Sequence, residues 1–269
     1  MFEQLGLIGC GLMGGSFALA LKQAGLVQRV VGYSKSPSTT ERARQMGVID
    51  VEAPSALLAV SGADIVLIAV PVASTEATFK AIKHLVTPST LVMDVGSTKR
   101  DVIDAARRAL REQVDCFVPA HPIAGKEVAG VENADADLYA GRQVVLTPID
   151  RTNPVQLQQA VDVWASLGCR VVKMSPEAHD AAFAATHAEG FDPGRVVILE
   201  NGRALAQEPG QATVEVTRYE PNVAGFTVTT DRPAYFFLSD VYHPDWRATI
   251  DGRSTPIEVA NYAFRAVYL

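Results

Sequence analysis

The strongest constraint in this 269-residue chain is a glycine pattern near its start. Gly9-Cys10-Gly11-Leu12-Met13-Gly14 directly follows the apolar run Leu5–Gly9 and directly precedes the helix-like stretch Ser16–Ala24. Passing from a buried strand into a helix this abruptly requires a tight turn, and glycine tolerates the backbone conformations such a turn demands. In the order GxGxxG, the first glycine makes the turn and the second lets a pyrophosphate approach the backbone. The third lets the helix pack close to the strand. Free amides and the positive end of the helix then face the phosphates. The pattern predicts a dinucleotide site contacted by Gly9, Gly11, Leu12, Met13 and Gly14.

About twenty residues further on, where an Asp or Glu would bind the ribose hydroxyls of NAD, the chain reads Tyr33-Ser34-Lys35-Ser36. Hydroxyls with a cation suit a 2′-phosphate better than a free hydroxyl. The cofactor is therefore NADP or NAD, with Ser34, Lys35 and Ser36 leaning towards NADP. The alternative for Ser34 and Lys35 is a plain polar turn.

The pattern up to about Ser175 alternates short apolar runs with amphipathic stretches. The runs are Leu5–Gly9, Arg29–Tyr33, Ile65–Val70, Leu91–Val95, Cys116–Ala120, Gln143–Leu146 and Arg170–Lys173. Most are continuously apolar, as befits strands covered on both faces. The stretches Ser16–Ala24, Ser74–Leu85, Lys99–Leu110 and Val155–Leu167 read as helices, the third capped by Ser97 or Thr98 and the fourth opened by Asn153-Pro154. This alternation predicts an α/β fold of the Rossmann type, a doubly wound and mostly parallel sheet. Residues 212–269 differ, holding 10 of the 19 aromatic residues, and predict β-strands, with Asp251-Gly252 as a tight turn between two of them. The expected domains are 1–176 for dinucleotide binding, 177–211 as a truncated helix and Gly/Pro-marked junction, and 212–269 as a β-rich tail.

Composition narrows the function classes. A net charge of −6 with no clustered Lys/Arg run offers no footprint for nucleic acid. Cys10, Cys116 and Cys169 are scattered, which argues against a disulfide scaffold or a zinc ribbon and fits a reducing compartment. Leu5–Leu21 is 17 residues without a charge, but Glu3 precedes it and five glycines interrupt it. A soluble, cytoplasmic protein without a membrane span is expected. No metal site is expected: His179 and His187 are eight apart with Asp180 adjacent, but no third and fourth ligand spacing supports one.

In such a sheet, substrates sit outside the carboxyl ends of the strands. Ser97 and His121 both fall at strand ends, and an imidazole there can take a hydroxyl proton as hydride leaves the same carbon. The plainer alternative for His121 is a strand-end histidine satisfied by backbone. The loop from His121 to Glu127 adds Lys126 and Glu127. His179 faces the cleft or caps a helix, and the cations Lys99, Arg100, Arg107, Arg108 and Arg111 read as the solvated face of one helix.

Taken together, Gly6–Gly15, Asp94–Lys99, His121–Gly130 and His179–Ala184 resemble the prephenate dehydrogenase family, which includes arogenate and cyclohexadienyl dehydrogenases. The resemblance covers about Phe2 to His187. It implies oxidation of prephenate or arogenate by NAD or NADP, with loss of carbon dioxide to give 4-hydroxyphenylpyruvate or tyrosine. It further implies that His121 accepts the proton of the substrate's 4-hydroxyl and that Ser97 hydrogen-bonds that hydroxyl and helps fix the imidazole. Lys126, Glu127, His179 and His187 are its substrate-facing candidates.

The family continues into a histidine-rich segment and a helical dimerisation domain bearing a carboxylate-binding arginine. This sequence lacks them, so a homodimer would need other contacts. Residues 212–269 instead resemble the C-terminal β-domain of YfhO-like bacterial membrane proteins, from which no function is transferred. Two rival readings remain: a β-hydroxyacid-type dehydrogenase, and a dinucleotide-binding protein without catalysis.

Overall fold

In the computed structural model, which describes residues 1–126, 128–186, 211–220, 223–241, 246–260 and 264–269, the chain divides into two compact units, Met1–Asp180 and Ala181–Leu269. In the first unit, strands and helices alternate as β1 (Phe2–Ile8), α1 (Leu12–Gln23), β2 (Val27–Tyr33), α2 (Pro37–Gln45), β3 (Val51–Glu52), α3 (Ala56–Val60), β4 (Ile65–Ile68), α4 (Val72–Ile82), β5 (Leu91–Asp94) and α5 (Arg100–Leu110). A 3-10 turn at Arg111–Cys116 leads to β6 (Phe117–Val118). These six strands form one wholly parallel sheet in the order β3-β2-β1-β4-β5-β6, the doubly wound order that bends at β1 and β4.

The continuous apolar runs have a simple cause. Along β4, Ile65 and Leu67 enter one core while Val66 and Ile68 enter another, so both faces of the strand are covered. The first core joins β1 and α1 to an aromatic cluster in which the Phe17 and Trp164 rings lie 4.9 Å apart and those of Tyr139 and Trp164 5.3 Å apart. The second packs Phe79 of α4 against Phe117 and the α5 residues Val102, Ile103 and Ala106.

The single strand expected over Cys116–Ala120 divides at Pro119. Proline has no amide to donate to a ladder, and the chain leaves β6 to start β7 (Ala120–Pro122) in a second sheet. There β7 pairs antiparallel with β8 (Gln143–Leu146). After α6 (Pro154–Ser166), β9 (Arg170–Lys173) pairs parallel with β8, giving the order β7-β8-β9. Asn153 caps α6 as expected, its Oδ1 accepting from the Val155 amide at 2.8 Å. Helix α7 (Pro176–Thr186) follows.

The second unit contains β10 (Ala212–Glu220), β11 (Val223–Thr230), β12 (Tyr235–Val241), β13 (Ala248–Ile250), β14 (Arg253–Thr255), β15 (Glu258–Ala260) and β16 (Phe264–Tyr268). They form small sheets: β10-β11, β12-β16-β15 and β13-β14. Asp251 and Gly252, at φ +50° and +77°, join β13 to β14. Positive φ at both central residues is what a two-residue I′ hairpin requires. Among the described residues no helix is long and apolar enough to cross a membrane.

Candidate active site

The three motif glycines serve different ends. Gly9 has φ +100°, and a Cβ there would lie 2.2 Å from the Ala69 carbonyl oxygen. A Cβ on Gly14 would lie 2.1 Å from the Gly9 oxygen. Packing between the turn, α1 and β4 therefore dictates both. Gly11 is different: a Cβ there would meet nothing within 4 Å. The space beside Gly11 is open, and α1 begins at it with no side-chain cap and no acid in its first turn. Uncapped amides and a positive dipole end at an open space are suited to an anion, so the residues here fit a dinucleotide pyrophosphate. Leu12 and Met13 form the first turn of that helix, and the Tyr139 hydroxyl holds the Met13 carbonyl at 2.7 Å.

The end of β2 borders the same turn. The Cys10 amide donates to Ser34 Oγ at 2.8 Å, and the Ser34 amide donates to Thr40 Oγ1 at 3.1 Å. Lys35 and Ser36 are exposed beside it, Ser36 at the N-terminus of α2 with its hydroxyl 2.8 Å from that of Ser38.

His121 lies on β7 and is buried. Its Nδ1 is 2.8 Å from Nε2 of His179, and Nδ1 of His179 is 2.7 Å from Oδ1 of Asp180. That oxygen also accepts from the Lys99 amide at 2.8 Å, while Oδ2 accepts from the Arg100 amide at 2.9 Å. Asp180 thus caps α5 from another helix, in the place expected for Ser97 or Thr98.

The order of bonds assigns the protons. A carboxylate only accepts, so His179 donates from Nδ1 and accepts at Nε2; His121 then donates from Nδ1 and is left with Nε2 as its acceptor nitrogen. Burial, the largest influence, pushes the His179 pKa below the ordinary histidine value. The bond to Asp180 opposes this and the nearby Lys99 charge reinforces it, so the ring is held neutral. Burial raises the Asp180 pKa, but the amides of Arg100 and Lys99 and the His179 ring outweigh it and hold the carboxyl below its usual range.

Beneath this line lies a buried ion pair. Lys99 Nζ is 2.6 Å from Asp94 Oδ2 and 2.7 Å from the Ala120 carbonyl oxygen. Asp94 Oδ1 accepts from the Ala120 amide at 3.0 Å and Oδ2 from the Gly96 amide at 2.8 Å. Desolvation lowers the Lys99 pKa, with Asp94 opposing. The solvated face expected for Lys99, Arg100, Arg107, Arg108 and Arg111 needs correcting at its first member. Lys99 is 0% exposed, because it stands at the helix N-cap and its stem turns inward to reach Asp94; the four arginines remain exposed.

The structure therefore joins His121 and His179, which sequence reasoning treated separately, and adds Asp94, Lys99 and Asp180. The available signal for Asp94 and Lys99 was an acidic residue closing an apolar strand with a lysine five positions later. Ser97 lies exposed on the loop between β5 and α5, and Thr98 Oγ1 is buried with no hydrogen-bond partner among the described residues. Lys126 is exposed and bonded to Asp135 at 2.9 Å and to the Asn133 carbonyl. Glu127 and His187 lie outside the described residues.

A parallel sheet in this order, with a glycine turn opening onto uncapped helix amides, defines a Rossmann-type nucleotide-binding domain. The chain belongs to the family described as prephenate dehydrogenase, nucleotide-binding domain, whose profile matches residues 17–173. It is 35% identical to a prephenate dehydrogenase of Bacillus subtilis over 67% of this chain and 48% of that protein. It is 33% identical to a cyclohexadienyl dehydrogenase of Zymomonas mobilis over 69% of this chain and 63% of that protein. The crystal structure of prephenate dehydrogenase from Aquifex aeolicus in complex with hydroxyphenyl propionate and NAD+ superposes with a TM-score of 0.65 at 33% identity, covering 70% of this chain and 64% of that one. The chain thus spans about half of the first relative and under two thirds of the other two.

Proposed function

We propose that the chain catalyses the oxidative decarboxylation of prephenate or arogenate to 4-hydroxyphenylpyruvate or tyrosine, with His121 as general base. The observation that carries this reading is the line His121–His179–Asp180, which leaves Nε2 of His121 as the acceptor. Relatives named prephenate and cyclohexadienyl dehydrogenase support the substrate class.

A bound nicotinamide dinucleotide supplies the hydride acceptor. Gly9, Gly11, Leu12, Met13 and Gly14 would hold its pyrophosphate. Ser34, Lys35 and Ser36 favour a 2′-phosphate, hence NADP. His121 takes the proton of the substrate's 4-hydroxyl at Nε2 as that carbon is oxidised. The ring carboxylate leaves as carbon dioxide, the electron pair of the broken carbon–carbon bond completes the aromatic ring, and the resulting phenolate oxygen takes the proton back from His121. Ser97 donates to the same hydroxyl, and Lys126, Glu127 and His187 belong to the substrate side. His179 acts through His121, holding its tautomer.

In this proposal residues 1–176 are the dinucleotide-binding domain, 177–211 the junction and 212–269 a separate β-rich tail resembling the YfhO-like domain. The protein works in the cytoplasm, and a homodimer is its proposed assembly. Mixing the full chain with NADP+ or NAD+ and either substrate, then following reduced-cofactor absorbance, tests it. Turnover that falls as pH drops through the histidine range is expected; dinucleotide binding without turnover would establish the binding-protein reading instead.

A further inference from the structure

We propose that Lys99, paired with Asp94, is a positioning residue that sets both the backbone and the ring of His121; this rests on the general-base role given to His121 above. The reason lies at the edge of a sheet. Strand β7 is the outer strand of β7-β8-β9, so among the described residues one side of it has no partner strand. On its paired side, Thr147 donates to the Pro119 carbonyl and Ile123 to that of Gln143. Backbone groups alternate in direction along a strand, and those of Ala120 are taken up by side chains instead. The Asp94 carboxylate accepts its N–H, and the Lys99 ammonium donates to its C=O. An anion on the donor and a cation on the acceptor complete the edge as a neighbouring strand would, with charge-assisted bonds.

The same residue reaches the imidazole by a second route. The backbone N–H of Lys99 donates to Asp180 Oδ1, which accepts from His179, whose Nε2 faces His121 Nδ1. The Lys99 side chain therefore fixes the main chain immediately before His121, while the amide of the same residue, which a side-chain substitution keeps, anchors the line that sets its tautomer. Stability alone does not account for the pair, because a well-packed apolar pair of similar volume is often at least as stable as a buried ion pair. Besides the bond within the pair, three bonds run from it, two to Ala120 beside His121 and one to Gly96 in the loop after β5.

The experiment compares the full-length wild type with Lys99→Met and with the double variant Asp94→Asn/Lys99→Met. The double variant avoids an unpaired buried carboxylate and keeps an acceptor for the Ala120 amide. Nitrogen-15 NMR of the histidine rings reports the tautomers, dinucleotide affinity reports the cradle, and kcat reports chemistry. The double variant keeps the amide that holds Asp180 but releases the carbonyl of Ala120. The His121 ring is therefore expected to shift off His179, to lose the fixed Nδ1–H pattern and to lower kcat by roughly 10- to 100-fold, the scale of a misplaced catalytic group. Dinucleotide Kd should change less than about twofold, against the tenfold that 1.4 kcal/mol represents. A double variant that keeps the wild-type tautomer pattern and kcat overturns the proposal, and so does one that cannot fold, since the pair would then be a structural brace. If the wild type turns over neither substrate, the functional reading fails while the NMR comparison still decides the part played by Lys99.

Discussion

Replacing His179 by Phe keeps a buried ring but removes the Nε2 acceptor that His179 offers to the Nδ1–H of His121. In the wild type that contact is 2.8 Å, within a buried pair. Leaving a buried donor without its partner costs about 1–3 kcal/mol. The same free energy was favouring the Nδ1–H tautomer, so its loss shifts His121 towards the form protonated at Nε2, which cannot accept the substrate proton. If the whole effect reaches the transition state, kcat falls by about 5- to 150-fold. His179→Gln offers an amide oxygen near the position of the lost Nε2 and should recover most of the activity. Asp180 keeps both α5 amides in either variant, so the helix cap survives. The assay is steady-state turnover of prephenate or arogenate, with dinucleotide affinity measured alongside. Dinucleotide binding should be unchanged in both. A Phe variant with kcat within about twofold of wild type, cofactor binding intact, would refute the tautomer reasoning, since even 1.4 kcal/mol is a tenfold effect.

Further outcomes follow from the same geometry. Gly9→Ala should destabilise the fold by about 2–5 kcal/mol in chemical denaturation, because it combines positive φ with a backbone clash. Gly11→Ala should leave stability nearly unchanged and weaken dinucleotide binding, since its Cβ would occupy the open cradle. Because the folded-state pKa of His179 is depressed, the unfolded chain binds more protons below the ordinary histidine value. The stability it contributes is therefore complete above about pH 6.5 and is lost as pH falls below that, by up to about 1.4 kcal/mol per unit. Denaturation midpoints at neutral and mildly acidic pH should show this slope in the wild type and a shallower one in His179→Gln. Lys35→Ala should reduce NADP+ affinity about tenfold or more and leave NAD+ affinity alone, measured by titration.

Much of the first unit was legible because its strands are buried on both faces. The runs Gln143–Leu146 and Arg170–Lys173 coincide with β8 and β9, and the glycine turn stands where the motif places it. What escaped notice had weak local signals. Helix α2, PSTTERARQ, buries only Thr40 and Ala43, so no apolar stripe marks it. Strand β3 has two residues and α3 five, too short for any period to register. The break at Pro119 was visible as a residue, but the second sheet that receives β7 depends on pairing with distant β8. Lys99 looked solvated because a helix-start lysine usually is; only the fold places the Asp94 carboxylate and the Ala120 carbonyl within its reach. The link between His121 and His179 spans 58 positions, a contact no local pattern encodes.

The most direct test compares wild type with His121→Asn in NADP+- or NAD+-dependent oxidation of prephenate and arogenate, measuring dinucleotide Kd on the same samples. A positioned general base contributes about 10²- to 10⁴-fold. The variant should therefore bind the dinucleotide as the wild type does and lose at least about 100-fold in kcat. Equal turnover by the two proteins, or a wild type that binds the cofactor and oxidises neither substrate, would contradict the account.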